Sequence, residues 1–95
     1  MITSKQRAYL RKLANGIDTI LQIGKSGIGE TLIAQVDDAL AAGELVKIRV
    51  LETSPLTPRE ACGELAEVLH AEPVQVIGTR FVLYRKNPET PTIVL

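Results

Sequence analysis

The chain has 95 residues, enough for one domain and not for two, and a chain of this size buries roughly 60–70% of its unfolded surface, so an unaided core is feasible. Lys plus Arg (11) balances Asp plus Glu (11), so net charge selects no class of partner, while one cysteine excludes an internal disulfide framework and a cysteine-based zinc site. No leading apolar run resembles a signal peptide and no stretch approaches the ~20 apolar residues of a membrane span, so the expected location is cytoplasmic, away from any membrane.

The distribution of charge says more than its sum. Residues 1–29 carry Lys5, Arg7, Arg11, Lys12 and Lys25 against Asp18 alone, and residues 30–46 carry Glu30, Asp37, Asp38 and Glu44 with no base. Residues 52–72 hold Glu52, Glu60, Glu64, Glu67 and Glu72 against Arg59, and the chain then turns basic again at Arg80, Arg85 and Lys86. Segments of this kind predict a basic face and an acidic face on a neutral molecule.

Thr3-Ser4-Lys5-Gln6 opens the first predicted helix, with Thr3 as cap and Gln6 three residues on completing a capping box. Tyr9, Leu10, Leu13, Ala14 and Ile17 repeat at helical spacing, and Asn15-Gly16 supplies the stop. Lys5, Arg7, Arg11 and Lys12 fall around the rest of the circumference. Solvation alone accounts for many charged helix faces, but exposed helices usually mix signs to gain i,i+4 pairs, and this one has no acid.

Thr19–Ile23 reads as a strand and Ile28–Ala42 as an amphipathic helix with Leu32, Ile33, Val36, Ala39 and Leu40 inward, Asp37 and Asp38 outward, and Gly43 placed to end it. Between them lies Gly24-Lys25-Ser26-Gly27. A strand that turns through two glycines into a helix N-terminus lets a phosphate approach main-chain N–H groups, and Lys25 adds a positive charge at the tip. A nucleotide-binding P-loop would need a glycine where Thr19 stands, so this turn is not one.

Leu45–Leu51 alternates, with Val46, Ile48 and Val50 on one face and Lys47 and Arg49 on the other, which predicts a sheet covered on one side. Thr57-Pro58-Arg59-Glu60 is a helix start, and Ala61, Cys62, Leu65, Ala66 and Leu69 form the buried side of the helix that follows. Val74–Ile77 and Phe81–Arg85 read as strands joined at Gly78-Thr79, giving a hairpin at an antiparallel edge. The end, from Asn87, is extended and proline-spaced, and whether Ile93-Val94-Leu95 fray or pack on an edge is left open.

The order α-β-α-β-α-β-β predicts an α/β two-layer sandwich with a mixed four-stranded sheet. No constellation supports catalysis or a cofactor: Cys62 sits on an apolar helix side, His70 is the lone histidine, and the helix-three glutamates form a solvated stripe. Tyr9, Phe81 and Tyr84 are the only aromatics, and Phe81 reads as core, so stacking of bases on exposed rings is not expected. The expected mode is backbone gripping by the glycine turn, with Lys47, Arg49 and Arg80 extending a basic surface.

Lys5-Gln6-Arg7, Leu10-Arg11, Leu13-Ala14, Ile23-Gly24-Lys25-Ser26-Gly27-Ile28, Leu45-Val46-Lys47-Ile48 and Gly78…Val82-Leu83-Tyr84-Arg85 together resemble the CRM (chloroplast RNA splicing and ribosome maturation) domain, in its stand-alone bacterial, YhbY-like form. The resemblance runs from Thr3 to Lys86. It implies a fold akin to the C-terminal domain of bacterial translation initiation factor three, a KH-like GxxG loop that contacts RNA, and association with precursors of the large ribosomal subunit. By position the loop is Gly24, Lys25, Ser26 and Gly27, and the basic residues of the first helix are Lys5, Arg7 and Arg11. The expectation is therefore a non-enzymatic, monomeric protein that binds ribosomal RNA, with residues 1–86 as one domain and 87–95 as a tail. The alternative is a module whose acidic second and third helices dock a basic ribosomal protein.

Overall fold

The computed structural model describes residues 2–95. Helix α1 (Ser4–Ala14) leads to strand β1 (Thr19–Ile23), α2 (Glu30–Gly43), β2 (Leu45–Val50), α3 (Pro58–Leu69), β3 (Glu72–Ile77) and β4 (Arg80–Tyr84). Both predicted capping boxes form: Thr3 Oγ1 accepts the Gln6 N–H at 3.1 Å while Gln6 returns the bond to Thr3, and Thr57 and Glu60 do the same at the start of α3. Gly78 sits at φ +58, as the hairpin turn requires.

The sheet has four strands in the order β1-β2-β4-β3, with β1 parallel to β2 and both other pairings antiparallel. The mixed sheet and the element order are as the sequence predicts. The hairpin forms the antiparallel edge as expected, β3 being the outer strand and β4 lying between β2 and β3. The composition of β4 explains its interior position. Phe81, Val82, Leu83 and Tyr84 are all buried, and a strand apolar on both faces belongs in the interior of a sheet.

The same strand corrects the expected two layers. Helices α2 and α3 cover the face carrying Val46, Ile48, Val50, Phe81 and Leu83, in one core with Val36, Leu40, Ala61 and Leu65. Helix α1 packs on the opposite face, where Leu10 and Ala14 meet Val74, Val82 and Tyr84. The fold is two full layers plus a partial third. Each fully buried Leu, Ile or Phe contributes about 1.5–3 kcal/mol, so both cores matter for stability.

The structure adds two further details. Helix α2 ends at Gly43 as expected, and the positive φ that follows falls on Glu44 (φ 66), a residue 1% exposed. Residues 87–95 are also fastened to the domain. The Glu44 carboxylate accepts backbone N–H groups of Asn87, Thr92 and Ile93 and the Thr92 hydroxyl, and Ile93 packs against the α1-side core. Among the described residues no helix is long and apolar enough to cross a membrane, and no group of His, Cys, Asp or Glu is arranged to hold a metal ion.

Candidate nucleic-acid interface

The glycine turn closes with the Gly27 N–H donating to the Gly24 carbonyl at 3.0 Å. Gly27 takes φ +64, and a Cβ there would lie 3.2 Å from Pro55 Cγ, so this position requires glycine; Gly24 has no such constraint, its nearest neighbours to a Cβ lying at 3.8 and 3.9 Å. Lys25 and Ser26 are exposed at the tip. The turn forms one wall of an open groove of about 570 Å³ that continues over Gly29, Glu30 and Thr31 to Gln35. Gly29 is the N-cap of α2 and offers no side-chain cap, so the first-turn N–H groups stay available to a ligand. Glu30 places an acid in that first turn, which lowers the positive potential there.

Beside the turn runs a register row that crosses the whole sheet. Gln22 pairs with Arg49, Arg49 with Arg80, and Arg80 with Ile77. Their chain neighbours Ile23, Ile48, Val50, Phe81 and Val76 point into the α2/α3 core, so by strand alternation the row faces the other side. There it is one residue from the Ile23–Gly24 junction. Lys47, half-buried, stands in the next row, opposite Val82. Helix α1 covers the far end of this face, over Val74, Val82 and Tyr84, and leaves the row open.

Arg80 is held in a particular way. Its Nε donates to Thr19 Oγ1 at 3.1 Å, from β4 across β2 to β1. A register shift between Thr19 and Leu21 makes room for this contact and leaves Ile20 57% exposed on the same face.

The four bases of α1 do not form one group. Lys5, Arg11 and Lys12 are exposed, whereas Arg7 is half-buried and donates from Nε to the Pro73 carbonyl at 3.2 Å. At ~100° per residue, Gln6 and Arg7 flank the buried Leu10–Ala14 stripe on opposite sides. Ile2 and Gln6 line the cleft that holds the C-terminal residues, so Arg7 and Arg11 project to the flank away from the tail. The glycine turn, Arg49 and Arg80 are thus brought together at one end of the sheet, and the α1 bases lie toward the other end of the same face. Lys5, Arg11, Lys12, Lys25, Lys47 and Arg49 have no acidic partner among the described residues.

The acidic side is weaker than its sequence implied. Asp37 pairs with Arg85 Nη1 at 2.7 Å, Glu44 is buried under the tail, and Glu60 belongs to the Thr57 capping box, where the Thr57 backbone N–H and hydroxyl hold its carboxyl below the usual range. Cys62 is buried, and its burial pushes the thiol up to about 11, against a smaller opposing effect of Arg59. Sequence reasoning missed Thr19, Ile77 and Glu44. For Glu44 the signal was present: positions 44, 46, 48 and 50 share one alternation phase, and the last three are core. For Thr19 no local signal existed, because its partner is 61 residues away.

Known proteins resemble this chain over nearly its whole length. The CRS1/YhbY (CRM) domain model matches residues 2–85, which include α1, the glycine turn and the whole sheet. The probable RNA-binding protein YqeI of Bacillus subtilis is 35% identical over 95 residues, covering 100% of this chain and 99% of the relative. An RNA-binding protein of Haemophilus influenzae is 30% identical over 88 residues, covering 93% of this chain and 89% of its own. The solution structure of the hypothetical protein SAV1595 of Staphylococcus aureus, described as a candidate RNA-binding protein, superposes with a TM-score of 0.74 at 46% identity, covering 100% of this chain and 99% of that one. With nearly its full length matched at these identities and in the same fold, the chain belongs to the CRS1/YhbY (CRM) domain family.

Proposed function

We propose that this protein binds RNA without catalysing a reaction, and that the RNA is ribosomal, met in precursors of the large subunit. The grip is the Gly24–Gly27 turn: phosphate oxygens accept from the exposed N–H groups of the turn and the start of α2 and from the Ser26 hydroxyl, and Lys25 supplies charge. Lys47, Arg49 and Arg80 carry the backbone over the open sheet face, and Lys5, Arg7, Arg11 and Lys12 extend the field beyond it. The observation that carries this reading is the row Gln22–Arg49–Arg80–Ile77, which is uncovered and adjoins the glycine turn. Cations with no internal acidic partner have counterions to release on meeting a phosphate backbone.

The test is binding of ribosomal RNA across a salt series, comparing wild type with Lys25→Asp/Ser26→Asp, with circular dichroism to establish that the variant is folded. Affinity should collapse in the variant, and the log–log salt slope should shallow by about 0.7–0.9 for each phosphate no longer neutralised. A folded variant that binds as wild type does would make the turn a plain strand-to-helix connection. Co-sedimentation with large-subunit precursors, in preference to mature subunits, tests the ribosomal part.

A further inference from the structure

Arg80 is exposed yet not free to wave in solvent. It starts on β4 and its Nε reaches Thr19 Oγ1 on β1, with β2 lying between. Strands are spaced about 4.8 Å apart, so the two residues are rooted roughly 10 Å apart, and the arginine must lie along the sheet surface to close the bond. Its Nε edge, one of the edges that grips phosphate as a fork, is occupied by the threonine. The Nη edge and the face of a flat cation remain for a ligand.

The surroundings of that plane are unusual for a basic surface. Ile77, 65% exposed, is the register partner of Arg80 at the root of the side chain, and Ile20, 57% exposed, adjoins Thr19 at its tip. No acid among the described residues pairs with Arg80. A planar cation held flat beside the apolar Ile20 offers a face as well as an edge for phosphate. That face matches an unpaired nucleobase, whose faces are flat, electron-rich and apolar, and arginine planes take part in such stacks. A base inside a duplex has no free face to offer.

We infer that the open sheet face receives one unpaired base of the bound RNA, stacked on the Arg80 guanidinium beside Ile20. This rests on the proposed RNA binding and adds a selectivity to it: the glycine turn holds phosphate in any RNA, whereas Arg80 discriminates unpaired from paired segments. Thr19 is a positioning residue that keeps the plane flat. Rings are not needed, so the scarcity of exposed aromatics is no obstacle.

The experiment uses the full chain and a short RNA carrying 2-aminopurine in an unpaired stretch, with the same oligomer annealed into a duplex for comparison. Wild type should bind the unpaired form roughly tenfold more tightly, within the range for a single stack, and quench the 2-aminopurine emission. Arg80→Lys keeps the charge and loses the plane, so it should lose both the preference and the quenching while leaving the salt slope unchanged. Thr19→Val, which keeps the strand and frees the guanidinium, should lose part of each. Lys25→Asp/Ser26→Asp should weaken both RNAs alike. Arg80→Lys behaving as wild type, or wild type preferring the duplex, overturns the inference and leaves RNA binding intact. Wild type binding neither RNA overturns both. Sedimentation of the free chain as a dimer that Ile77→Asp dissolves would assign the face to a second copy and likewise overturn it.

Discussion

Thr92 binds Glu44 twice, its backbone N–H and its hydroxyl each donating to the same carboxylate oxygen, Oε1, at 2.6 Å. The Ile93 N–H joins them at 2.8 Å, and the Asn87 N–H takes Oε2 at 2.8 Å. Glu44 itself stands at φ 66 between α2 and β2. A glycine would suit that backbone better, so the side chain supplies what the backbone gives up. It fastens residues 87–95 over the end of the sheet remote from the glycine turn.

Glu44 makes stability depend on acid. Burial alone would raise its pKa, but the Thr92 hydroxyl and the N–H groups of Asn87, Ile93 and Thr92 outweigh it and hold the carboxyl at about 2, below the ordinary 4.5. A depressed folded-state pKa contributes stability that is complete above the unfolded value and is lost as pH falls. The loss should therefore run from pH 4.5 down toward 2. Glu44→Gln should cost about 2 kcal/mol at neutral pH, the scale of charge-assisted hydrogen bonds, and should flatten that part of the acid profile. Urea unfolding of both chains between neutral pH and pH 2.5 measures it; parallel profiles would show that the carboxylate is not the acid-sensitive group.

Removing the tail should uncouple the same residue. A chain ending at Lys86 loses the donors from Asn87, Thr92 and Ile93 and the packing of Ile93, and it should unfold at lower denaturant. In that background Glu44 faces water, so Glu44→Gln should cost less than about 0.5 kcal/mol. The double-mutant cycle gives the coupling directly. Equal penalties in both backbones would mean that Glu44 acts on the helix end and not on the tail.

The elements were legible because the forces that make them are local. Thr3 with Gln6, and Thr57 with Pro58 and Glu60, start helices through bonds spanning three residues, and Val46, Ile48 and Val50 declare a core face by simple alternation. The glycine turn was legible for the same reason. What failed to show involved distant partners. The apolar faces of α1 identify a buried side but not which side of the sheet it covers, and only the double-sided burial of β4 decides that. The Arg80–Thr19 contact spans 61 residues and the Glu44–Thr92 contact 48; neither has a signature in either segment alone. The charge segments also misled. Counting acids overlooks that Asp37, exposed as expected, is paired with Arg85, and it treats the enclosed Glu44 as surface.

Cys62 should be silent in the folded protein. It is 2% exposed, and burial raises its thiol to about 11, so at pH 8 little thiolate exists and none is reachable. Reaction with a disulfide reagent at that pH should follow unfolding of the core around Leu65 and Phe81. Raising urea below the transition should speed labelling in step with the unfolded population. Fast labelling without urea would mean that α3 opens on its own.

Substitutions at the glycine turn should separate stability from binding. Gly27→Ala forces a Cβ into φ +64 and to 3.2 Å from Pro55 Cγ, so it should cost roughly 1–2 kcal/mol. Gly29 is different: it caps α2 with extended backbone (φ −115), no side-chain cap bond, and nothing within 4 Å of a Cβ. Gly29→Ser and Gly29→Asp should each stabilise the fold by a few tenths of a kcal/mol by capping the helix. Only the aspartate adds a charge where phosphate is proposed to bind. Repulsion of about 1 kcal/mol at a solvated site corresponds to roughly fivefold in affinity, so Gly29→Asp should melt higher and bind ribosomal RNA more weakly, while Gly29→Ser should melt higher and bind unchanged. Thermal melts and titrations on the three proteins suffice. If Gly29→Asp binds as tightly as wild type, phosphate does not reach the N-terminus of α2, and the grip contracts to Lys25 and the arginines of the open sheet.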